Sequence, residues 1–247
     1  MNTLYLLYAA GALYLASFIA GMFRMRIAGI ALLGAGAAAH LSYQVSRAWL
    51  TGFFLPNAMF DGVFLLPLAI AVALLAIRLF SEEDENWERA TAIVCMFMVF
   101  AFIYPKGIIP PTPNKLTVWA QAFFLTESAG HACFYLGAWG AMYNLIRKKD
   151  YGLFHTLIVW GFVLFSISQV TGAIWAYLGW GSTFRWGARH LQTAVIWLYY
   201  VNYLHLRFLP SWSAARRYIY AALGAIVTIA CSFGSYLGEM SFPRVGG

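Results

Sequence analysis

The chain has 247 residues, 62% of them hydrophobic and only 10% charged, with a formal net charge of +7. Its apolar residues gather in blocks of about 20, the length that crosses a bilayer core, so the composition predicts a polytopic membrane protein and leaves no room for a separate soluble domain. In such a chain the positive balance is read as topology and not as a nucleic-acid-binding surface, and no nucleic acid partner is expected.

Cutting at charge clusters and at Pro/Gly-rich breaks predicts eight helical spans, at about 3–23, 27–47, 60–80, 89–104, 117–146, 153–178, 190–208 and 217–236. The predicted fold is an all-α polytopic membrane helix bundle of about eight transmembrane helices, one membrane domain over residues 1–247. The first apolar run begins at Leu4 without a basic leader, and no small-residue cleavage site precedes the next run, so it is expected to be the first span and not a cleaved signal. The connections are short. YPKGIIPPTPNK breaks helices because proline lacks a donor and disfavours helix before it. The acidic run SEEDENWER reads as a solvated loop.

Orientation follows from Lys and Arg near the span ends. One side carries ten: Arg24, Arg26, Arg78, Arg89, Arg147, Lys148, Lys149, Arg207, Arg216 and Arg217. The other carries six: Arg47, Lys106, Lys115, Arg185, Arg189 and Arg244. The ten-charge side is expected to be cytoplasmic, which puts both termini and the stretch WGSTFRWGARH outside. Cys95, Cys133 and Cys231 lie far apart inside apolar blocks and read as packing residues. With no Cys-x-x-Cys-His, the chain carries no covalently attached haem of its own.

Ionisable side chains at apolar depth mark chemistry, since burying them unpaired is costly. All five histidines, His40, His131, His155, His190 and His205, fall within or at the end of a predicted span. One buried histidine is more often a hydrogen-bonding residue than a ligand; five of five is harder to dismiss. At about 1.5 Å of rise per residue, His155 and His205 lie near the cytoplasmic face and can form a pair. His40 falls in the outer half of span two, His131 near the middle of span five, and His190 at the outer mouth beside Arg189. Two bis-histidine sites for non-covalent b-type haem, one inner and one mid-membrane to outer, are compatible with these depths. Zinc is disfavoured, because no His-x-x-x-His or His/Cys/Asp cluster appears. Glu127 stands one turn before His131, so the two can share a face.

Residues 171–207, TGAIWAYLGWGSTFRWGARHLQTAVIWLYYVNYLHLR, resemble the tryptophan-rich segment of the cytochrome c assembly protein family. That segment reads W-G-x-x-W-x-W-D-P-K-E, preceded by G-x-x-W-A and followed by W-L and then Y-L-H. The matching positions are Gly172, Trp175, Ala176, Trp180, Gly181, Trp186, Trp197, Leu198, Tyr203, Leu204 and His205. Phe184 stands for a tryptophan, and Gly187, Ala188, Arg189 and His190 stand where the family has D-P-K-E. GFFLPNAMFDG, residues 52–62, resembles the family's G-H-F-P-x-x-N-x-Y-E-S. GEMSF, residues 238–242, resembles its G-x-H-S-Y, with Met240 replacing a haem-ligating histidine.

The resemblance implies a protein that holds or relays haem at the outer membrane face. The tryptophan loop, with Trp180 and Trp186, would form a platform, Arg185 and Arg189 would pair the haem propionates, and outer-face residues would ligate the iron. The ligand expected before the loop falls at Glu127 or Ser128, with His131 a turn deeper; the one after is Met240, a residue that can ligate haem iron. His205, the family's membrane-embedded ligand, is intact. An accessory assembly protein and a c-type cytochrome are the implied partners, and the bacterial inner (cell) membrane the implied location. No catalytic residue is assigned; any catalysis belongs to a cytochrome c synthase (haem lyase) complex. Two alternatives stay open: a haem b subunit passing electrons between the quinone pool and a partner cytochrome, and a haem-free regulatory relative.

Overall fold

The computed structural model describes residues 3–51, 62–80, 86–103, 117–148, 152–184 and 188–239. Of residues 50–51, 62–63, 86, 188–189 and 234–239 the backbone alone is described. Among the described residues there are helices and no strands: α1 (Leu4–Met22), α2 (Arg26–Thr51), α3 (Gly62–Phe80), the single-turn α4 (Asn86–Arg89), α5 (Thr91–Ile103), α6 (Val118–Arg147), α7 (Leu153–Trp180), α8 (Ala188–Leu206) and α9 (Ala214–Glu239). Each predicted span coincides with one long helix, the fourth opening with α4 before α5 begins.

α1, α7 and the Ala214–Phe233 part of α9 are long and apolar enough to cross a membrane by composition alone. α2 and α6 carry more polar residues, and turn them inward: His40, Gln44 and Arg47 on α2, and Ser128, His131 and Asn144 on α6, are buried. The protein is an all-α membrane helix bundle whose lipid-facing surface is apolar and whose interior holds the polar groups.

Lipid tails are as apolar as leucine, so helices in a bilayer associate through close packing instead of water exclusion. The tightest pair, α6 and α7, shows how. A Cβ on Gly130 would stand 3.0 Å from the Phe165 backbone nitrogen and 3.1 Å from the Gly161 carbonyl oxygen. One on Gly137 would meet the Ile158 side chain at 2.7 Å, and one on Gly161 the Phe134 ring at 2.7 Å. Small residues on both helices thus let the two backbones touch.

α6 also joins the two cores. On one side, Ala132, Tyr135 and Leu136 complete a core built from α1, α2, α3 and α5, with Leu7, Leu33, Leu74 and Phe97 at its centre. On the other, Phe134 and Ala141 belong to a second core with Phe165 of α7, Ile196 and Tyr200 of α8 and Ala221 of α9. There Phe134 lies flat on Tyr200, ring centroids 3.5 Å apart at 5°. α8 is held to α9 by a tyrosine clamp: Tyr199 donates to the Tyr220 carbonyl at 2.6 Å, and their rings stack at 4.4 Å.

Because backbone atoms face Gly130, its neighbours cannot yield by a rotamer change. Gly130→Val is expected to destabilise the protein by about 1–3 kcal/mol, the usual cost of overpacking, read as a lower unfolding midpoint in detergent. Gly152→Ser, where nothing lies within 4 Å of the added carbon, should leave the midpoint unchanged.

Candidate functional site

The connections between α6, α7 and α8 are short, so the start of α6, the end of α7 and the start of α8 share one end of the bundle. A cavity of about 610 Å³ opens there between the three helices. α6 contributes Phe123 and Phe124; α7 contributes Gln169, Gly172, Ala173, Trp175, Ala176 and Trp180. The turn adds Thr183 and Phe184, and α8 adds His190, Thr193, Ala194, Trp197 and Leu198. Along α7 the lining runs from residue 169 to 180, about 16 Å at helical rise, so the cavity is a slot parallel to the helix axes.

Its walls are aromatic planes. Trp175 packs against Phe123 and Phe124, both at 5.9 Å between centroids, and edge-on to Trp180 at 5.3 Å. Gly172 makes room for this cluster, since a Cβ there would lie 2.8 Å from the Phe123 ring. Trp180, Phe184, Trp197 and Leu198 are each more than a third exposed, so one side of the slot faces the surroundings of the bundle.

The local sequence explains how this end closes. α7 stops at Trp180 because Gly181 adopts a left-handed conformation, φ +72°, with its N–H donating to the Tyr177 carbonyl at 2.8 Å. The chain reverses, Ser182 donates to the Phe184 carbonyl at 2.7 Å, and the Phe184 ring returns over the slot edge-on to His190, centroids 5.2 Å apart. His190 is half-buried and is the one imidazole among the described lining residues.

The other histidines lie elsewhere. His131 is buried at mid-depth on α6, stacked on Phe165 at 5.3 Å. His40 is fully buried on α2, its Nδ1 3.4 Å from the Tyr14 hydroxyl. At the opposite end of the bundle, His155 Nδ1 meets the Tyr203 hydroxyl at 3.1 Å. Tyr203 is two residues from His205, about 200° round the helix, so the structure brings His155 to Tyr203 and leaves His205 on another flank. His205 is exposed, with Nδ1 2.8 Å from the Val201 carbonyl; because a carbonyl only accepts, Nδ1 carries the hydrogen and Nε2 is the nitrogen turned away. Arg189 lies in the first turn of α8, where the backbone alone is described, while Arg185, Trp186 and Met240 lie outside the described residues.

Six positions singled out in the tryptophan-rich stretch, Gly172, Trp175, Ala176, Trp180, Trp197 and Leu198, line the slot, and a seventh, Gly181, caps α7. Phe123 and Phe124 were not legible as site residues, because nothing in an apolar run tells a cavity wall from a lipid-facing one.

Residues 136–240 match the family model described as cytochrome C assembly protein, which bears out the resemblance seen in the sequence. Among curated proteins, the chain is 36% identical over 141 residues to the cytochrome c biogenesis protein CcsA of Porphyra purpurea, covering 57% of this chain and 37% of that protein. It is 34% identical over 92 residues to the CcsA of Prochlorococcus marinus strain MIT 9303, covering 37% of this chain and 29% of that one. With the CcsA of Guillardia theta it shares 35% over 98 residues, 39% and 32% of the two chains. The chain thus spans about a third of the length of the curated relatives it matches.

A side chain with a Cβ in the left-handed conformation of residue 181 costs roughly 1–2 kcal/mol. Gly181→Val is therefore expected to lower the unfolding midpoint measurably, whereas Gly181→Asn, a residue that tolerates this conformation, should stay close to the parent.

Proposed function

Because residues 136–240 are built on the cytochrome c assembly pattern, we propose that this protein takes part in c-type cytochrome assembly, holding haem non-covalently in the slot at the outer end of α6, α7 and α8. The observation that carries the reading is that the positions of the tryptophan-rich stretch and the lining of one aromatic cavity coincide, with a single imidazole at its rim.

The residues present fit the group. A porphyrin is a flat apolar plate, and a slot of this volume, within the usual range for small-molecule sites, offers it the faces of Trp175, Phe123 and Phe124. Stacking on aromatic rings suits such a plate. His190 would hold the iron through a ring nitrogen, and Arg185 and Arg189, close by in sequence, would neutralise the carboxylates. Bound haem supplies the iron centre that a c-type cytochrome needs. The chain's own groups would orient the plate, exclude water from it and hold the iron through His190.

At the inner end, His205 is proposed as a second, membrane-level ligand. Its Nδ1–H is held by a backbone carbonyl, the arrangement that fixes the tautomer and orientation of metal-binding histidines. Since His155 is directed to Tyr203, the partner of His205 would come from an accessory protein on the exposed flank of α8. Met240 and His131 remain further candidates for the iron. The ten-to-six asymmetry of Lys and Arg supports an orientation with the slot and both termini outside the cytoplasm, as in a bacterial inner membrane, where a c-type cytochrome would receive the haem. Electron transfer through a resident haem b is the second reading; the buried imidazole of His131, stacked on Phe165 between α6 and α7, is the observation that favours it.

Protein purified from haem-replete cells should show a Soret band and a b-type α band without covalent attachment; a colourless preparation would refute the reading. His190→Ala should weaken haem binding at the slot by about tenfold or more, given that even outer-shell partners of a metal site are worth that much. Orientation has its own check: a reporter active only outside the cytoplasm should work near Ser182 and fail near Asp84.

A further inference from the structure

The slot meets its surroundings in two directions, and they differ. At the end of the bundle the chain turns at Gly181 and the Phe184 ring stands edge-on to His190. Along the side, the lining is exposed from its rim to its inner limit: Trp180 at the one is 47% exposed and Leu198 at the other 55%. The opening therefore runs lengthwise between α7 and α8. At its inner limit the Trp197 Nε1–H donates to the Ser166 hydroxyl at 3.0 Å and the indole packs on Phe162, so a large ring spans the two helices there. Counting outward from that contact along the antiparallel pair, Gln169 comes level with Ala194, and Ala173 with His190. Each of these levels sets a methyl group against a longer side chain, and the seam stays open.

The depth of the opening decides what it faces. α7 has 28 residues, about 42 Å at helical rise against a hydrocarbon core of about 30 Å, so with α7 centred in the bilayer about 6 Å overhangs at each end. The lining between residues 169 and 180 reaches about 16 Å down from the end of α7, and the greater part of that length opens onto acyl chains. A flat amphipathic plate dissolved in a leaflet keeps its ring among acyl chains and its carboxylates at the headgroups. The slot repeats that arrangement, with aromatic walls at depth and Arg189 in the first turn of α8. Moving sideways, the ring stays out of water throughout; entering by the end of the bundle, it does not.

We propose that the slot is loaded sideways from the bilayer: haem dissolved in the leaflet at that end passes between α7 and α8 without leaving the membrane. This rests on the reading of the slot as a haem site and adds the source of the haem and its route. Val170 and Leu191, 61% and 44% exposed, stand three residues before Ala173 and Ala194 on their helices, next round from the lining. They are the lips of the opening and do not line the slot.

The test follows the Soret rise after haemin is added to phosphatidylcholine vesicles that carry the full chain purified from haem-depleted cells. Diluting the suspension at a fixed haemin-to-lipid ratio should leave the rate of the rise unchanged, because the concentration that matters is that in the bilayer; loading from water would slow in proportion to the dilution. Val170→Trp and Leu191→Trp, which add bulk to the lips on lipid-facing positions, should slow the rise and keep its final height, and Val170→Ala and Leu191→Ala should speed it. Ile226→Trp, on an exposed position of α9 (63%), should load as the wild type does. The proposal is overturned if the rate falls in proportion to the dilution, if both tryptophan variants load at the wild-type rate, or if they lower the final height without slowing the rise. A wild type with no Soret rise at all would sink the haem reading itself, an outcome distinct from a coloured protein whose loading follows the aqueous concentration.

Discussion

The rest of the bundle is arranged around the backbone-to-backbone contact of α6 and α7. Gly130, Gly137 and Gly161 remove the side chains that would keep the two helices apart, and in a bilayer such close approach is the main source of helix association. With that pair fixed, α6 presents one face to the core of α1, α2, α3 and α5 and another to the core shared with α8 and α9. A single helix so determines how both halves of the chain are placed.

The slot is a consequence of where α8 is held. Its grip comes from Phe134 of α6 against Tyr200 and from the paired tyrosines with α9, both below the slot. At the end where α7 stops at Trp180, the cavity opens between α6, α7 and α8 and aromatic side chains line it instead of filling it. Trp180 and Trp197, which suit an interfacial belt, face the gap as well as the surroundings, which is why the same residues satisfy both descriptions.

The fold was almost wholly legible in the sequence, since span length and charged breaks are imposed by bilayer thickness and desolvation. Each of the eight expected spans has its helix. The flanks of the tryptophan-rich stretch were legible too, because Gly172, Trp175, Trp180 and Gly181 have particular jobs at their positions: clearance for Phe123, a stacking face, a rim and a left-handed cap. What could not be read was azimuth. Depth follows from counting residues, so His155 and His205 fell at one level; their facing depends on helix rotation, and the structure directs His155 to Tyr203. Phe123 and Phe124 were invisible for a related reason, as two phenylalanines in an apolar helix suit lipid and cavity equally.

The sharing of α6 between the cores bears on biosynthesis. Translation delivers α1 through α5 to the membrane before α6 exists, and the first core is not complete without Ala132, Tyr135 and Leu136 of α6 and the side chains of Ala225, Ile229 and Phe233 from α9 packed against it. Until α9 is made, the face of that core that Ala225, Ile229 and Phe233 cover is open. The nascent chain therefore has no early stopping point at which the first core is closed.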